Sequence, residues 1–270
     1  MKKLFYLFIT FTVLSSCSQY QKALKRPDIA EKFRLGEELY NKGKYAKANK
    51  LFAQIVPNYR GKPQAEKLMF LYSNTFYEMH DYYLASYQFE RFVASYPESE
   101  KVDEAAFLSG KSAYMLSPVF SKDQTETKEA LEKLQVFINL FPDSEYLAEA
   151  NKLVQELDFK LEKKAFEIAK QYNTIAGYTA DYNASIKAFD NFILEFPGSV
   201  YREDAFYYKL DSAYKVAMNS VESKKQERLE KAKVHYNNYK KNYSNSERME
   251  EANEMIEDIV KELEKYSTKS

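Results

Sequence analysis

Few residues in this chain have the type and spacing that a catalytic or metal site requires. The 270 residues include one cysteine, Cys17, and two histidines, His80 and His235, which are too few for a metal cluster and leave no disulfide within one chain. Asp123, Glu126 and Glu129 could suggest a carboxylate pair, but Asp123 is better placed to cap the helix that starts at Thr125. No glycine-rich phosphate loop or nucleophile elbow occurs in the sequence. We therefore expect no enzyme and no cofactor or metal.

Cys17 is expected to undergo a different chemistry, the acylation of its sulfur. Two lysines precede an apolar run at 4–14, and two serines separate that run from the cysteine, which is the order of a secretory signal peptide. The residues LSSC at 14–17 resemble the bacterial lipobox, whose cysteine carries lipid and becomes the first residue of the mature chain. Eleven helical residues rise only about 16 Å, so a lipid anchor is expected rather than a membrane span. We predict a signal peptide at 1–16 and a lipid-anchored linker at 17–27.

The composition favours an all-helical protein with a large aromatic core. Acidic and basic residues number 40 each, and this balance argues against nucleic-acid binding, which requires a basic surface. Six glycines and seven prolines leave little room for the many turns of a β-sandwich. The 24 tyrosines and 19 phenylalanines supply apolar area for packing between helices.

A nine-residue pattern that ends in proline recurs along the chain. It reads FERFVASYP at 89–97, LQVFINLFP at 134–142 and FDNFILEFP at 189–197, and each copy has one apolar helical face. Degenerate copies lie at 49–57 and 236–244. A serine two residues after each of the three prolines is expected to cap the next helix. An alanine stands eight residues after the last residue of each of the five copies and would let two helices approach closely. The five are Ala65, Ala105, Ala150, Ala205 and Ala252.

The first repeat has the pattern of a tetratricopeptide hairpin. Gly36 and Ala48 are small where two helices would cross, while Tyr45 and Phe52 would wedge between them. We therefore predict an all-α fold, a right-handed solenoid of about five tetratricopeptide-like hairpins with a C-terminal capping helix. The hairpins are expected at 28–57, 62–97, 101–142, 145–197 and 201–243, and the capping helix near 246–265. The apolar face of that helix is formed by Met249, Ala252, Met255, Ile256 and Ile259.

A stack of this kind has a concave groove lined by the first helix of each hairpin, and an extended peptide is the ligand that suits it. Counting the helical register from Leu35 and Gly36 gives the expected groove residues. They are Phe33, Glu37, Tyr40 and Asn41 in the first hairpin, Leu71, Thr75, Glu78 and Met79 in the second, and Phe107, Lys111 and Tyr114 in the third. The pattern leaves open whether each side chain faces the groove or packs between hairpins.

The lipobox followed by five hairpins resembles the BamD family, the lipoproteins of the outer-membrane β-barrel assembly machinery. The more specific marks are FERFVASYP, DQT at 123–125, FPDSEY at 141–146 and the span from LEKKAFEIAKQY to FILEFP at 161–197. The length and the stretch NSVESKK at 219–225 are similar to members from Bacteroidetes. After Pro97 the chain reads ESEK, where many members have a second proline and a histidine, so details of the substrate pocket are not carried over.

The resemblance implies a non-enzymatic role at the periplasmic face of the outer membrane. The N-terminal repeats at 28–142 would receive the C-terminal strand signal of an unfolded outer-membrane β-barrel protein. The C-terminal repeats at 143–266 would dock on the periplasmic domains of BamA, the barrel subunit, and Lys187 and Arg202 are the residues expected to contact it. A lipid tether at Cys17 would raise the effective concentration of the peptide groove beside the insertion site.

Two other interpretations share the anchor and the repeats. One is a periplasmic tetratricopeptide scaffold lipoprotein of cell-envelope or division coordination, which would not bind BamA. The other is a glycan-binding lipoprotein of a nutrient-uptake system, although such chains are usually longer and carry a large ligand-binding insertion that this sequence lacks. The partners that co-purify with the protein would discriminate among the three.

Overall fold

The computed structural model describes residues 19–179 and 181–267, and the regular structure in these residues is helical. Because these two ranges contain no β-strand, the prediction of an all-α fold built from helical repeats is confirmed. No helix within the same ranges is long and apolar enough to cross a membrane. The predicted signal peptide and Cys17 lie outside the described residues.

The chain divides into two compact units, and the division falls between Asp158 and Phe159. In the first unit a helical segment at 19–25 precedes three helical hairpins, and a 3₁₀ turn at Val56–Tyr59 follows the first of them. The helices of the three hairpins are α1 (Ile29–Asn41), α2 (Tyr45–Ile55), α3 (Ala65–Glu78), α4 (Tyr82–Ser95), α5 (Val102–Leu116) and α6 (Thr125–Leu140).

The second unit is built from four shorter helices and the part of a long helix that follows Asp158. α7 (Leu147–Thr179) is 33 residues long, and this length accounts for the wide spacing of the fourth repeat. The other helices are α8 (Asn183–Glu195), α9 (Arg202–Met218), α10 (Glu222–Asn242) and α11 (Met249–Ser267). The two compact units therefore meet inside α7. The division between residues 142 and 143 separates repeats by their expected binding partners and stays a prediction.

Small residues let the two helices of a hairpin cross closely. A Cβ atom added at Gly36 would lie 2.5 Å from Cε1 of Phe52, which is fully buried, as is Ala48 beside it. In the third hairpin a Cβ atom at Gly110 would lie 2.8 Å from Cδ2 of Leu134. These distances are shorter than a van der Waals contact, so only glycine fits without movement of the neighbouring helix. The five repeat alanines, from Ala65 to Ala252, are likewise buried.

The turns that close the second, third and fourth hairpins share one serine contact. The Oγ of each serine accepts a hydrogen bond from the backbone N–H two residues further on, just before the next helix. The same hydroxyl donates to a carboxylate on the first helix of the hairpin that has just ended. The pairs are Ser99 with Glu66, Ser144 with Asp103, and Ser199 with Glu162. Each turn is therefore fixed to the first helix of the hairpin that it closes, which sets where the next hairpin begins.

The terminal helix α11 covers the last hairpin with the face that the sequence predicts. Ala252 and Ile259 are fully buried, and the two methionines and Ile256 pack partly buried beside the core of α9 and α10. At the edge of this contact Lys225 and Glu262 form an ion pair of 3.0 Å with side chains only 16% and 17% exposed.

Candidate peptide-binding surface

The helices α1, α3 and α5 and the beginning of α7 form one surface of the first unit, here called the A face. Polar side chains connect α1 to α3 and α5 to α7. At the step from α1 to α3, Lys67 Nζ donates to Glu37 Oε1 and Asn74 Nδ2 donates to the hydroxyl of Tyr40. The Tyr40 ring also packs edge-on against Tyr45, with centroids 5.4 Å apart. These contacts hold the Tyr40 side chain at the surface in one orientation.

The step from α5 to α7 is made by two further pairs. Lys111 Nζ lies 2.8 Å from Glu149 Oε1, and the Tyr114 hydroxyl donates to Glu156 Oε2 at 2.5 Å. The hydrogen bond to Glu156, together with burial, raises the pKa of Tyr114 to about 12. Its hydroxyl is therefore protonated throughout the physiological range and keeps its hydrogen bond to Glu156.

Three of the residues expected in the groove lie in the core instead. Phe33 is buried and stacks on Tyr59 with ring centroids 5.6 Å apart. Thr75 is fully buried, and its Oγ1 accepts from Asn49 Nδ2 at 2.9 Å. Phe107 is buried within the core cluster of the third hairpin. These side chains support the surface from below and offer no atoms to a peptide.

The other expected groove residues are accessible on the A face. Asn41 and Glu78 are exposed at the ends of α1 and α3. The half-buried members are Glu37, Tyr40, Leu71, Met79, Lys111 and Tyr114. The structure thus brings Glu37 and Tyr40 against α3, and Lys111 and Tyr114 against α7, so they form two sets of polar contacts along one surface.

A cavity of about 460 Å³ opens beside α3 and the start of α5. Glu66 lines it with a carboxylate that accepts a hydrogen bond from Ser99. The four other side chains relevant to a ligand are Phe70 and Leu71, which are apolar, and Lys67 and Lys101, which are cationic. The two lysines are paired with Glu37 and Glu104 but remain 58% and 57% exposed. The Lys101 ammonium lies 5.7 Å from the centroid of the Phe70 ring. The arrangement can accept an apolar side chain together with a carboxylate, because both kinds of partner are present within one cavity.

Of these four cavity residues, sequence reasoning identified only Leu71. Lys67, Leu71 and Asn74 are spaced by four and three positions and therefore share one helix face. Thr75, which the counted register favoured, lies one residue further and about 100° around the helix, on the side that meets α2. Helical spacing does not distinguish the two residues, because Asn74 and Thr75 lie three and four positions after Leu71.

In the second unit, the two residues predicted to contact a partner have different surroundings. Lys187 is exposed on α8. Arg202 is half-buried at the start of α9, where its Nη1 donates to the carbonyl oxygen of Ile193 at 2.8 Å. Its guanidinium also lies 5.3 Å from the centroid of the Phe206 ring. Arg202 therefore ties α8 to α9, whereas Lys187 is available to another molecule.

Neither histidine lines the A-face cavity. His80 lies in the turn between α3 and α4, where its Nδ1 is 2.6 Å from the hydroxyl oxygen of Tyr82. His235 is half-buried in α10 of the second unit. Among the described residues, no group of three or more histidine, cysteine, aspartate or glutamate side chains could hold a metal ion.

A family comparison matches the region that carries the A face. Residues 27–180 align with the YfiO family, which is described as an outer membrane lipoprotein. The chain belongs to this YfiO family. The matched residues include the three hairpins of the first unit and the whole of α7, so every A-face residue named above lies within the YfiO match.

Individual relatives agree with the YfiO assignment. One relative is named as an outer membrane protein assembly factor BamD and comes from Aquifex aeolicus (strain VF5). It is 26% identical over 262 residues, which are 96% of this chain and 78% of the relative. The outer membrane protein assembly factor BamD of Xylella fastidiosa (strain 9a5c) is 24% identical over 74% of this chain and 71% of its own length. BamD of Pasteurella multocida (strain Pm70) is 22% identical over 64% and 70% respectively.

Proposed function

We propose that this protein is a non-enzymatic lipoprotein subunit of the outer-membrane β-barrel assembly machinery. The single observation that carries the proposal is that the chain belongs to an outer membrane lipoprotein family and is similar to relatives named as assembly factors. The N-terminal order of lysines, apolar run and Cys17 supports a lipid anchor, which holds the chain on the periplasmic face of the outer membrane.

The A face of the first unit receives the C-terminal strand signal of unfolded outer-membrane β-barrel proteins. The cavity beside α3 supports this role, since Phe70 and Leu71 suit an apolar side chain and Lys67 and Lys101 suit a terminal carboxylate. Along the same surface the Tyr114 hydroxyl donates to Glu156, so its oxygen can accept a peptide N–H, and the Lys111 ammonium can donate to a peptide carbonyl.

Peptide binding tests this part of the proposal directly. The probe is a synthetic peptide that copies the C-terminal strand of an outer-membrane β-barrel protein from the same organism, prepared with a free or an amidated C-terminus. We expect the double variant Lys67→Glu/Lys101→Glu to raise the Kd for the free-acid peptide about tenfold, because two attractive charges become repulsive. Fluorescence anisotropy measures the Kd.

The matched control is Lys50→Glu/Lys128→Glu, which reverses two exposed lysines on α2 and α6 away from the cavity. Its Kd should stay close to that of the unchanged protein. Amidation of the peptide should weaken binding to the unchanged protein and have little effect on the Lys67→Glu/Lys101→Glu variant. Equal affinity for the acid and the amide would refute carboxylate recognition at this cavity.

The second unit docks on the periplasmic domains of BamA, and Lys187 contributes to that contact. Reversal of Arg202 would also break its hydrogen bond to the Ile193 carbonyl oxygen, so Lys187→Glu is the cleaner test. We expect Lys187→Glu to reduce co-purification of BamA, with Lys241→Glu, at an exposed position of α10, as the control. Unchanged recovery of BamA with Lys187→Glu and with Arg202→Glu would remove the docking site from these residues.

Affinity purification from native outer membranes, with a C-terminal tag, tests the proposal as a whole. Stoichiometric recovery of a barrel subunit with repeated periplasmic domains is the expected result. Recovery of peptidoglycan-associated or division proteins without that subunit would instead favour a scaffold lipoprotein of envelope or division coordination.

A further inference from the structure

A second cleft of the first unit lies between α4 and α6, the second helices of consecutive hairpins, and has a volume of about 400 Å³. Ala106 and Ser109 of α5 form its floor. They lie on a different side of α5 from Lys111 and Tyr114, which belong to the A face. The α4–α6 cleft is therefore separate from the surface proposed to receive the substrate signal.

The walls of the α4–α6 cleft are apolar and accessible. Val136 and Leu140 lie one turn apart on α6, and their side chains are 51% and 62% exposed. Val93 faces the same space from α4. Because the floor residues are small, the space between the two walls is open to side chains of another molecule.

The rim of this cleft is acidic. Glu90 of α4 and Lys133 of α6 form an ion pair of 2.6 Å across it. Glu129 and Glu132 line the same cleft, and neither has an ion-pair partner among the described residues. The rim therefore has a net negative charge next to the exposed apolar walls.

Two other clefts of the molecule have linings with a net positive charge. The cleft between the turn after α2 and the end of α4 is lined by Arg60 and Arg91. In the second unit, the cleft between α8 and α10 is lined by Lys224, Arg228 and Lys231. An acidic rim with apolar walls is thus a particular property of the α4–α6 cleft rather than a general result of stacking hairpins.

We propose that the α4–α6 cleft binds a basic amphipathic helix of a partner protein. Val136 and Leu140 are separated by about 6 Å along α6, which matches apolar side chains at positions i and i+4 of a docked helix. Lysine or arginine residues flanking those positions pair with Glu129 and Glu132. The acidic rim disfavours an anionic lipid surface, since like charges would be brought together. This site is independent of the substrate and BamA contacts proposed above.

Site-specific photo-crosslinking in the native outer membrane tests the proposal. A photoreactive amino acid replaces Val136 in the full-length lipoprotein, and the crosslinked segment is mapped by mass spectrometry. We expect a segment that is helical in pattern, with apolar residues three or four apart and an excess of lysine and arginine. The control position is Leu194 in the second unit, which is 83% exposed, and it should not capture that segment.

Charge reversal on the rim supplies the second readout. Glu129→Lys/Glu132→Lys should lower the yield of the Val136 crosslink about tenfold while the helical circular dichroism is unchanged, because both residues are exposed. Reversal of the exposed pair Glu254→Lys/Glu257→Lys on α11, which makes the same change of charge in the second unit, serves as the control and should leave the yield unchanged. A crosslink to lipid, to an acidic segment, or to nothing above the Leu194 control would overturn the proposal, as would a yield that the rim variant does not change.

Discussion

Among the described glycines, Gly36 has the least room for a side chain. Its α carbon faces the Phe52 ring so closely that a Cβ atom would lie 2.5 Å from Cε1 and 2.9 Å from Cδ1. Phe52 is fully buried and also packs against Phe33 and its neighbours in the first core cluster, so the ring has little freedom to move. The first hairpin therefore depends on the absence of a side chain at position 36.

We predict that Gly36→Ala destabilises the protein by about 1–3 kcal/mol, since the added methyl group forces the ring or the helix to shift. Urea unfolding followed by circular dichroism measures the change. Gly198→Ala is the control, because no atom lies within 4 Å of a Cβ added there. Phe52→Leu in the Gly36→Ala background should recover part of the loss. Equal stability of the Gly36→Ala and Gly198→Ala variants would contradict the close-contact explanation.

The fold changes the ionisation of His235 in a pH range where stability is readily measured. Burial lowers the pKa of His235 to about 4, the ammonium of Lys209 adds to this effect, and Asp190 acts in the opposite direction. The unfolded chain has an ordinary histidine pKa of about 6.5 and so binds protons more readily between pH 6.5 and pH 4. The neutral imidazole contributes stability above pH 6.5, and this contribution is lost as the pH falls through that window.

Replacing this histidine should therefore flatten the dependence of stability on pH. Between pH 7 and pH 5 the free energy of unfolding of the unchanged protein should fall by about 1–2 kcal/mol more than that of His235→Gln. Solvent screening of the partly exposed His235 side chain keeps this difference small. Urea titrations at several pH values measure this difference. Asn238→Gln, at an exposed position on the same helix, should behave as the unchanged protein. Identical pH profiles for both variants would exclude His235 as the source.

At the scale of the elements, α11 shows how a stack of hairpins ends. One face of this helix is buried on α9 and α10, while its other side is charged and faces water. The hydroxyls of Tyr207 and Tyr214 each donate to a carboxylate of α11, at Glu251 and Asp258 respectively. A terminal element with one polar face is what a repeat stack needs, because the last hairpin would otherwise expose its apolar side.

Two adjacent positions of α11 test this account. Ile259 is fully buried, whereas Val260 is 39% exposed. We expect Ile259→Ala to cost about 2–5 kcal/mol of stability through the cavity that it leaves, and Val260→Ala to cost less than about 0.5 kcal/mol. Thermal unfolding of the two variants measures the difference. Similar melting temperatures would mean that α11 contributes little to the stability of the second unit.

At the scale of the whole molecule, the proposed function requires both attachment to a membrane and binding surfaces. A single lipid chain binds membranes only weakly, whereas two or more chains give a stable anchor. We expect Cys17→Ser to move the protein from the outer-membrane fraction to the soluble fraction and to abolish labelling by a fatty-acid analogue. Cell fractionation with Ser18→Ala as the control measures this. A Cys17→Ser protein that remained in the membrane fraction would point to attachment through a partner.

Much of the repeat architecture was predictable because its signals are local. The proline at 97 and its counterparts mark where helices end, and the alanines eight residues later mark where the next hairpin packs. Arg202 and Thr75 were harder to interpret, since their roles depend on other helices. Arg202 bonds to a carbonyl of α8, and Thr75 is covered by α2. No pattern within their own helices indicates either contact.

The sequence by itself determined the helical class, the repeat spacing, the small residues at helix crossings and the apolar face of α11. These features depend on residue type and on periodicity within one or two helices, which the order of residues fully specifies. Only the tertiary structure decided that Asn74 rather than Thr75 lies on the A face, and that Glu129 and Glu132 border an open apolar cleft. One residue turns a helix by about 100°, and the part of that helix that is covered depends on where the neighbouring hairpins pack.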